Sequence, residues 1–559
     1  MVLAAIATFR TDHAIISTRK FGDANVNLTR MLRNRTAPWP SLAVRLVPVA
    51  LPLPVLLASL ALGQGNPISP PPGFPQVPQG TGACSAEKSC ADLAPLMIQS
   101  AEGPSPLEEN LRTLTDSIGG RVTGSPAAAR AVSWAVEALR KAGVDSVHTE
   151  KFMVPAGWSE GRTHVEVLVP GAFPVRAVAG GWSPPTPQGG ITAGVVDVGD
   201  GDDAGFAKAG SGAKGAIVLV HSNVLITYED LDREYAVHPG IIARARQAGA
   251  AAIFWMSTRQ GLLLYRHTSS LDGRIEAIPQ AIVAREDAER MARFLAAGQK
   301  VRVHFEMTNR VTGPVESENV VGEIRGREKA GEFVLLGAHL DSWELGTGAL
   351  DNGCNVAMLI DAARVIHASG NLPRRSIRFV LFTGEEQGEL GSEAYARGHR
   401  AELDKMFADV IFDSGVGRIT GYSLDGRKDL LVPVREVLDP LKPLGAVQYT
   451  FDAAGDTDDL DFLLEGVPSL VANQEPATYM TNYHAASDTF DKVDIAPLKR
   501  NEAIAAVTAY ALADAPARIG HRQTRAEVEQ LLKDSGLEKT LKAFGEWDAF
   551  AKGERGRQP

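Results

Sequence analysis

Short apolar runs alternate with amphipathic stretches through residues 315–514, a pattern typical of buried strands connected by helices. The runs that predict strands span residues 320–324, 333–338, 377–382, 410–412 and 468–472. The stretches with helical spacing span residues 355–367, 392–400 and 496–512. Strands that are apolar throughout and alternate with helices belong to parallel sheets that are covered on both sides. We therefore predict an α/β fold, with a mostly parallel mixed sheet and helices on both faces.

Two helices are predicted ahead of this region. The first begins near Pro106, and the second begins after Ser125, which can cap it, and ends at Gly143. Residues 121–125 between them are interpreted as a plain turn. We assign residues 105–156, together with 313–515, to one domain.

Residues 157–312 have a different pattern, with frequent Gly and Pro between short apolar runs. Strands are predicted at residues 195–198, 217–220, 252–255 and 281–283, and a helix at 241–248. No spacing typical of metal ligands occurs here. The segment is therefore predicted to be an inserted β-rich domain that restricts access to a site formed elsewhere.

Composition narrows the class of protein. The 559 residues are 44% hydrophobic and 22% charged, which indicates a globular chain long enough for several domains. The formal net charge of −10 argues against nucleic acid and anionic membrane surfaces as partners.

The amino-terminal residues resemble an export signal. Arg33, Arg35 and Arg45 precede an apolar stretch at 46–62, and small residues stand before Gln64. We predict a leader over residues 1–63, with Met31 as a second candidate start and a secreted or periplasmic location. A retained anchor is the alternative, although three prolines weaken it, and no stable membrane insertion is expected after cleavage. Residues 64–104 are predicted to be a Pro/Gly-rich linker, and 516–559 a tail with a surface helix and a frayed end.

Chemistry-bearing side chains follow two of the predicted strands. His339 and Asp341 come directly after residues 333–338, and Asp351 lies twelve residues beyond His339. Glu385 and Glu386 follow the strand at 377–382. The carboxyl ends of parallel strands meet at one edge of a sheet, so these groups should face one crevice. Imidazole and carboxylate suit Zn²⁺; one glutamate could bind metal while the other takes a proton from water.

The motifs HLDSW…GALDNG and TGEEQGELGS resemble the co-catalytic zinc exopeptidases of the M28 family, in particular its carboxypeptidase Q branch. The resemblance covers roughly residues 106–514. It implies two further ligands, Asp413 at a strand end and His484 in NYHAASDT. It also implies that residues 157–312 are a protease-associated-like domain and that 121–125 could line the rim of the site.

The resemblance also implies a role for each residue. Asp351 would bridge two Zn²⁺ ions per chain. The other ligands would be His339 and Asp413 for one ion, and Glu386 and His484 for the other. Glu385 would be the general base, Asp341 would orient the ring of His339, and Tyr483 would donate to the oxyanion, with loop packing as its alternative.

The three cysteines have separate interpretations. Cys84 and Cys90 lie close together after the predicted leader and could form a disulfide, with two free thiols as the alternative. Cys354 is interpreted as a packing residue.

The predicted function is that of a secreted zinc exopeptidase that hydrolyses dipeptides or short peptides, as the carboxypeptidase Q branch does. An aminopeptidase with the same site is the first alternative. A cyclotransferase acting on amino-terminal glutamine and a non-catalytic receptor are further alternatives, disfavoured by the complete ligand set. Whether the chain forms a homodimer is left open.

Overall fold

The computed structural model describes residues 88–268, 270–453 and 455–558. The predicted leader, the linker up to residue 87 and Cys84 lie outside the described residues, so the export signal and the disulfide stay predictions. Within the described ranges, no helix is long and apolar enough to cross a membrane.

The strands form two large sheets and one small pair. Their bounds are β1 Ser146–Val154, β2 Trp158–Ser159, β3 Thr163–Val169, β4 Phe173–Val175, β5 Ala177–Ala179, β6 Ile191–Asp197, β7 Ile217–Val220, β8 Ala252–Met256, β9 Gln280–Val283, β10 Arg302–Met307, β11 Arg310–Val311, β12 Val315–Ile324, β13 Lys329–His339, β14 Arg375–Phe382, β15 Met406–Ile411, β16 Ile419–Ser423, β17 Gln448–Thr450 and β18 Ser469–Gln474.

The α-helices connect and cover these strands. Their bounds are α1 Cys90–Glu102, α2 Leu107–Arg112, α3 Pro126–Ala142, α4 Asp203–Ala209, α5 Tyr228–Ala248, α6 Arg285–Ala296, α7 Cys354–Ala368, α8 Leu390–Gly398, α9 Leu431–Val437, α10 Leu460–Leu464, α11 Tyr479–Asn482, α12 Ile495–Asp514, α13 Arg525–Ser535, α14 Leu537–Phe544 and α15 Trp547–Lys552.

The first sheet has the strand order β1-β12-β14-β13-β15-β18-β16-β17. Its central strands β14, β13, β15 and β18 are parallel, whereas β1, β12 and β16 join antiparallel neighbours. This confirms the predicted mixed α/β fold.

Successive side chains of β13 point to opposite faces of this sheet, as a strand requires. Val334 and Leu336 pack in the core formed with α3, α7 and α12, while Phe333 and Leu335 pack on the other side with Tyr395 of α8. Because both faces are buried, the strand is apolar throughout, which is the pattern that predicted it.

The second sheet lies between β1 and β12 in the chain and has the order β4-β3-β10-β6-β7-β8-β9-β5. Strands β6 to β9 are parallel, and all the predicted strands of this segment are present. The predicted helix at 241–248 is only the second half of α5. The part of α5 before residue 241 is polar and contains Pro239, so hydrophobic spacing missed it, although Thr227 and Asp230 form a capping box at the start of the helix.

Two predictions about the chain termini are wrong. Residues 90–102, predicted as linker, form α1, in which Leu93, Met97 and Ala101 are buried against α12. The tail forms three helices instead of one with a frayed end. Its residue Arg555 is buried, with Nε 2.8 Å from Oδ1 of Asp461.

Candidate metal centre

The carboxyl ends of neighbouring parallel strands place the candidate ligands at one edge of the first sheet. His339 is the last residue of β13, Glu385 and Glu386 follow β14, and Asp413 follows β15. His484 comes after α11, the short helix beyond β18. Four elements that are distant in sequence therefore converge on one point.

One half of the centre lies around His339. Its Nε2 lies 3.0 Å from Oδ1 of Asp413 and 3.2 Å from Oδ1 of Asp351. The other carboxylate oxygen of Asp413 accepts a hydrogen bond from the hydroxyl of Thr457, at 2.6 Å. His339, Asp351 and Asp413 are thus close enough to hold one ion.

The second half lies around His484. Its Nε2 lies 2.9 Å from Oε2 of Glu386 and 3.2 Å from Oδ2 of Asp351. The two oxygens of Asp351 therefore face two different imidazoles, which is the arrangement of a bridging carboxylate. The structure brings together all five residues predicted as ligands.

The charge of this buried centre fits divalent ions. His339 is fully buried, and Asp351, Glu386 and His484 are almost so. Burial alone would lower the pKa of His484, but the carboxylates of Glu386 and Asp351 raise it to about 10. The same competition, with Asp413 and Glu385 as the nearest anions, raises the pKa of His339 well above its usual value. Carboxylates outnumber imidazoles here, and Oε1 of Glu386 has no hydrogen-bond partner among the described residues, so the centre attracts cations.

Asp341 contacts His339 in a different way from the one predicted. Nδ1 of His339 donates to the main-chain carbonyl of Asp341 at 3.1 Å, while the nearer carboxylate oxygen lies 3.7 Å away. Oδ2 of Asp341 instead accepts from the hydroxyl of Thr123, at 2.7 Å. The first contact sets the tautomer of the imidazole and the second holds Asp341 in place beside it, an arrangement that would suit a metal-binding histidine.

The ring of His484 is oriented by residues 157–312, which contain the second sheet and are called the second sheet region below. Its Nδ1 donates to the main-chain carbonyl of Arg266 at 3.0 Å, and the amide of Arg266 donates back to the carbonyl of His484 at 2.8 Å. The fully buried guanidinium of Arg266 lies between Glu160 and Glu344, at 2.6 Å from each. The sequence carries no signal for these main-chain contacts, because any residue supplies a carbonyl.

The loop that carries Asp351 is held by Asp488. Its carboxylate accepts hydrogen bonds from the main-chain amides of Ala349, Leu350 and Asp351, at 3.1, 2.7 and 3.2 Å. A single acidic residue therefore fixes the backbone on which the bridging carboxylate stands.

Arg121 also supports this loop, through hydrogen bonds to main-chain carbonyls. Its guanidinium is fully buried and donates to the carbonyls of Leu340, Thr347 and Gly348 at 2.7, 2.7 and 2.9 Å. Residues 122–125 form a turn, as interpreted, in which the amide of Ser125 donates to the carbonyl of Val122 at 2.9 Å, and Arg121 and Thr123 support the centre in addition. An arginine four residues before a helix cap looks ordinary in a sequence, so pattern analysis missed Arg121.

Glu385 lies at the boundary between the centre and a cavity of about 570 Å³. Its Oε2 is 3.8 Å from Nε2 of His339. Burial, reinforced by the nearby Asp413 and Glu386, raises the pKa of Glu385 well above its usual value, and cations bound at the centre would oppose that rise. A larger cavity of about 720 Å³ borders α1 and residues 511–519, away from these groups.

Tyr483 stacks on His484, with ring centroids 3.7 Å apart. Its hydroxyl lies 3.0 Å from the hydroxyl of Tyr235, a residue of α5. The side chain borders the same cavity as Glu385, so a hydrogen bond to a reacting oxygen stays a prediction.

Fold and centre together define the class: a metal-dependent hydrolase with a mixed α/β fold. The Peptidase family M28 description matches residues 319–509. Carboxypeptidase Q of Mus musculus is 31% identical over 409 residues, which cover 73% of this chain and 85% of that protein. A solved peptidase M28 precursor from Shewanella amazonensis SB2B has a TM-score of 0.71 at 29% identity, over 78% of this chain and 99% of its own. BSAP, a zinc aminopeptidase from Bacillus subtilis, has the same fold, with a TM-score of 0.58 at 22% identity over 74% of this chain and 97% of its own.

The chain belongs to peptidase family M28, and it is a peptide hydrolase of the exopeptidase type.

Proposed function

We propose that the protein is a two-zinc exopeptidase acting on dipeptides or short peptides. The observation that carries this proposal is the placement of Asp351 between two imidazoles, 3.2 Å from each, beside a cavity that Glu385 borders. His339 and Asp413 would hold one ion, Glu386 and His484 the other. The structural neighbour described as a zinc aminopeptidase supports zinc as the metal.

Each residue of the centre would have a separate role in peptide hydrolysis. Zinc held here would polarise the scissile carbonyl and lower the pKa of water. Glu385 would accept a proton from the attacking water and return it to the leaving amine. Asp341 and the carbonyl of Arg266 would hold the two imidazoles in position, and Tyr483 would donate a hydrogen bond to the oxygen on which charge develops.

The cavity beside the centre favours substrates with a free amino group. Asp232, Asp452 and Asp456 line it, and among the described residues no Lys or Arg does. An ammonium group is attracted to such a surface, whereas a substrate carboxylate would rely on neutral donors such as Asn473 and Gln474. This observation supports the aminopeptidase alternative. A dipeptide would be a substrate for an aminopeptidase and for a carboxypeptidase Q-like enzyme alike, because it has both a free amino group and a free carboxylate.

A matched set of substrates separates these activities. An unblocked dipeptide, its N-acetyl form and its C-terminal amide would be assayed with and without a chelator. We expect chelator-sensitive cleavage of the dipeptide, abolished by N-acetylation and largely retained in the amide. Cleavage of the acetylated substrate would instead assign a carboxypeptidase, and the absence of hydrolysis of any free peptide by zinc-loaded protein would refute the proposal.

Two further parts of the proposal concern the rest of the chain. We infer that residues 157–312 act as a protease-associated-like cover, because Tyr235 and Arg266 from this segment contact Tyr483 and His484. We also infer export through residues 1–63, which amino-terminal sequencing of protein from its native host would test. A blocked or intact Met1 in a cytosolic fraction would contradict export.

A further inference from the structure

A second group of metal-ligating side chains lies outside the centre described above. Glu234 and His238 are one turn apart on α5, and His267 reaches them from the segment after β8. All three are buried, with 3 to 7% of their surface exposed. One ligand atom from each lies within 4.8 Å of the other two.

The spacing on α5 places two of these ligands on one face. Residues four apart in a helix project from the same side, so Glu234 and His238 face His267 together. Oε1 of Glu234 lies 3.9 Å from Nδ1 of His267. Two histidines and one glutamate form a known type of zinc ligand set.

One ring nitrogen of each imidazole is buried without a hydrogen-bond partner in the described part of the chain. Nδ1 of His238 and Nε2 of His267 are buried without a hydrogen-bond partner among the described residues. His238 stacks on Trp255 with ring centroids 4.0 Å apart and borders a cavity of about 160 Å³.

Glu234 is oriented as a metal-binding carboxylate usually is. Its Oε1 accepts a hydrogen bond from the hydroxyl of Tyr265, and the guanidinium of Arg259 lies over the Tyr265 ring, at 4.6 Å from its centroid. A hydrogen bond to a ligating carboxylate fixes its direction and is a regular feature of metal sites.

We propose that Glu234, His238 and His267 bind a third divalent metal ion, zinc or a similar transition metal, separate from the pair at Asp351. The ion would connect α5 to residues 265–267. Arg266 in this stretch orients His484, and Tyr235 on α5 contacts Tyr483, so the ion would stabilise the contact of the second sheet region with the catalytic centre.

Metal content of matched variants tests the site. Wild type, His238→Gln, Glu234→Gln and the control His304→Gln would be dialysed with ZnCl₂, freed of excess metal, and analysed for zinc per chain. His304 lies in β10 of the same sheet and its ring contacts Thr192, away from the group. We expect the control to match wild type, and the other two variants to hold about one equivalent less.

Equal zinc content in all four proteins would overturn the third site. If the variants do not fold, crystals of the wild-type protein in ZnCl₂ provide the test by anomalous diffraction at the zinc edge. A peak between Glu234, His238 and His267 supports the site, and the lack of one there overturns it. Neither result depends on peptidase activity, so this inference and the proposed function can fail separately.

Discussion

The two large sheets contribute to the candidate metal centre in different ways. The first sheet supplies candidate ligand side chains, because its parallel strands end in His339, in the turn with Glu386 and in the turn with Asp413. The second sheet region supplies orientation, through the carbonyl of Arg266 and the hydroxyl of Tyr235. Side chains at strand ends can be recognised in a sequence, whereas main-chain contacts between distant regions cannot.

The largest expected effect lies in the first sheet, at the neighbouring glutamates. Glu385→Gln removes the proton acceptor and keeps the shape, so turnover should fall by about 10²–10⁴-fold while zinc content stays near wild type. Glu386→Gln removes an anionic ligand, so it should lose activity through loss of metal, partly recoverable with excess zinc.

Peptidase rates and zinc content of both variants, compared at equal metal occupancy, decide between the two roles. Zinc loss in Glu385→Gln with retention in Glu386→Gln would reverse them. Unchanged turnover in both would contradict the catalytic role of this turn.

A large loss of stability is expected when Arg121, which supports the loop that carries Asp351, is replaced. Arg121→Met leaves the carbonyls of Leu340, Thr347 and Gly348 without their donor in a buried place. We expect a loss of about 3 kcal/mol or more in the free energy of unfolding, measured by denaturant titration. Arg112→Met is the control, because Arg112 is exposed: it pairs with Glu108 and Asp116 and lies over the ring of Phe490, 4.2 Å from its centroid. Equal stability of the two variants would exclude a supporting role for Arg121.

Some features of the fold and the candidate site could be predicted from the sequence, and others could not. α3 was predicted to its ends, because Ser125, Pro126 and Gly143 are local signals. The candidate ligands His339 and Glu386 were predicted because their residue types follow apolar strands, whereas Asp413 and His484 were implied by the family resemblance. Arg121 and Arg266 act through carbonyls distant in sequence, so only the folded chain reveals them. α1 was missed because Pro95 lies inside it and because its stability comes from packing on α12, which is distant in sequence.

A smaller effect is expected for the second sheet region. Tyr235→Phe removes the hydroxyl 3.0 Å from that of Tyr483 without removing a metal ligand. One hydrogen bond contributes about 1 kcal/mol, so kcat/KM should fall about fivefold with zinc content unchanged. Tyr449→Phe, at the edge strand β17, is the control. A much larger loss of kcat/KM in Tyr483→Phe than in Tyr235→Phe would indicate that Tyr483 contacts the reacting atoms. Equal kcat/KM for Tyr235→Phe and wild type would show that Tyr235 does not contribute to activity.

The smallest expected effect is a pH dependence within the first sheet region. Burial alone would lower the pKa of His399, but its contacts with Glu150 and Glu402 raise it above its usual value. A raised folded-state pKa stabilises the protein fully below the unfolded pKa, near 6.5, and this contribution is lost as the pH rises through the folded value. His399→Gln should therefore destabilise the protein by less than about 1 kcal/mol at low pH, because solvent screens the pair, and by still less at high pH.

Thermal unfolding at about pH 6 and pH 9, with metal removed from both proteins, measures this difference. The exposed His521 provides the control variant, His521→Gln. A larger destabilisation at the higher pH would show that the sign is wrong.

The central claim is that Asp351 bridges two ions held by ligands from separate elements of the first region. Anomalous diffraction at the zinc edge, from crystals of active wild-type protein, tests it most directly. We expect two peaks at the centre, one between His339, Asp351 and Asp413 and one between Asp351, Glu386 and His484. A single peak there in fully active, zinc-saturated protein would contradict the account.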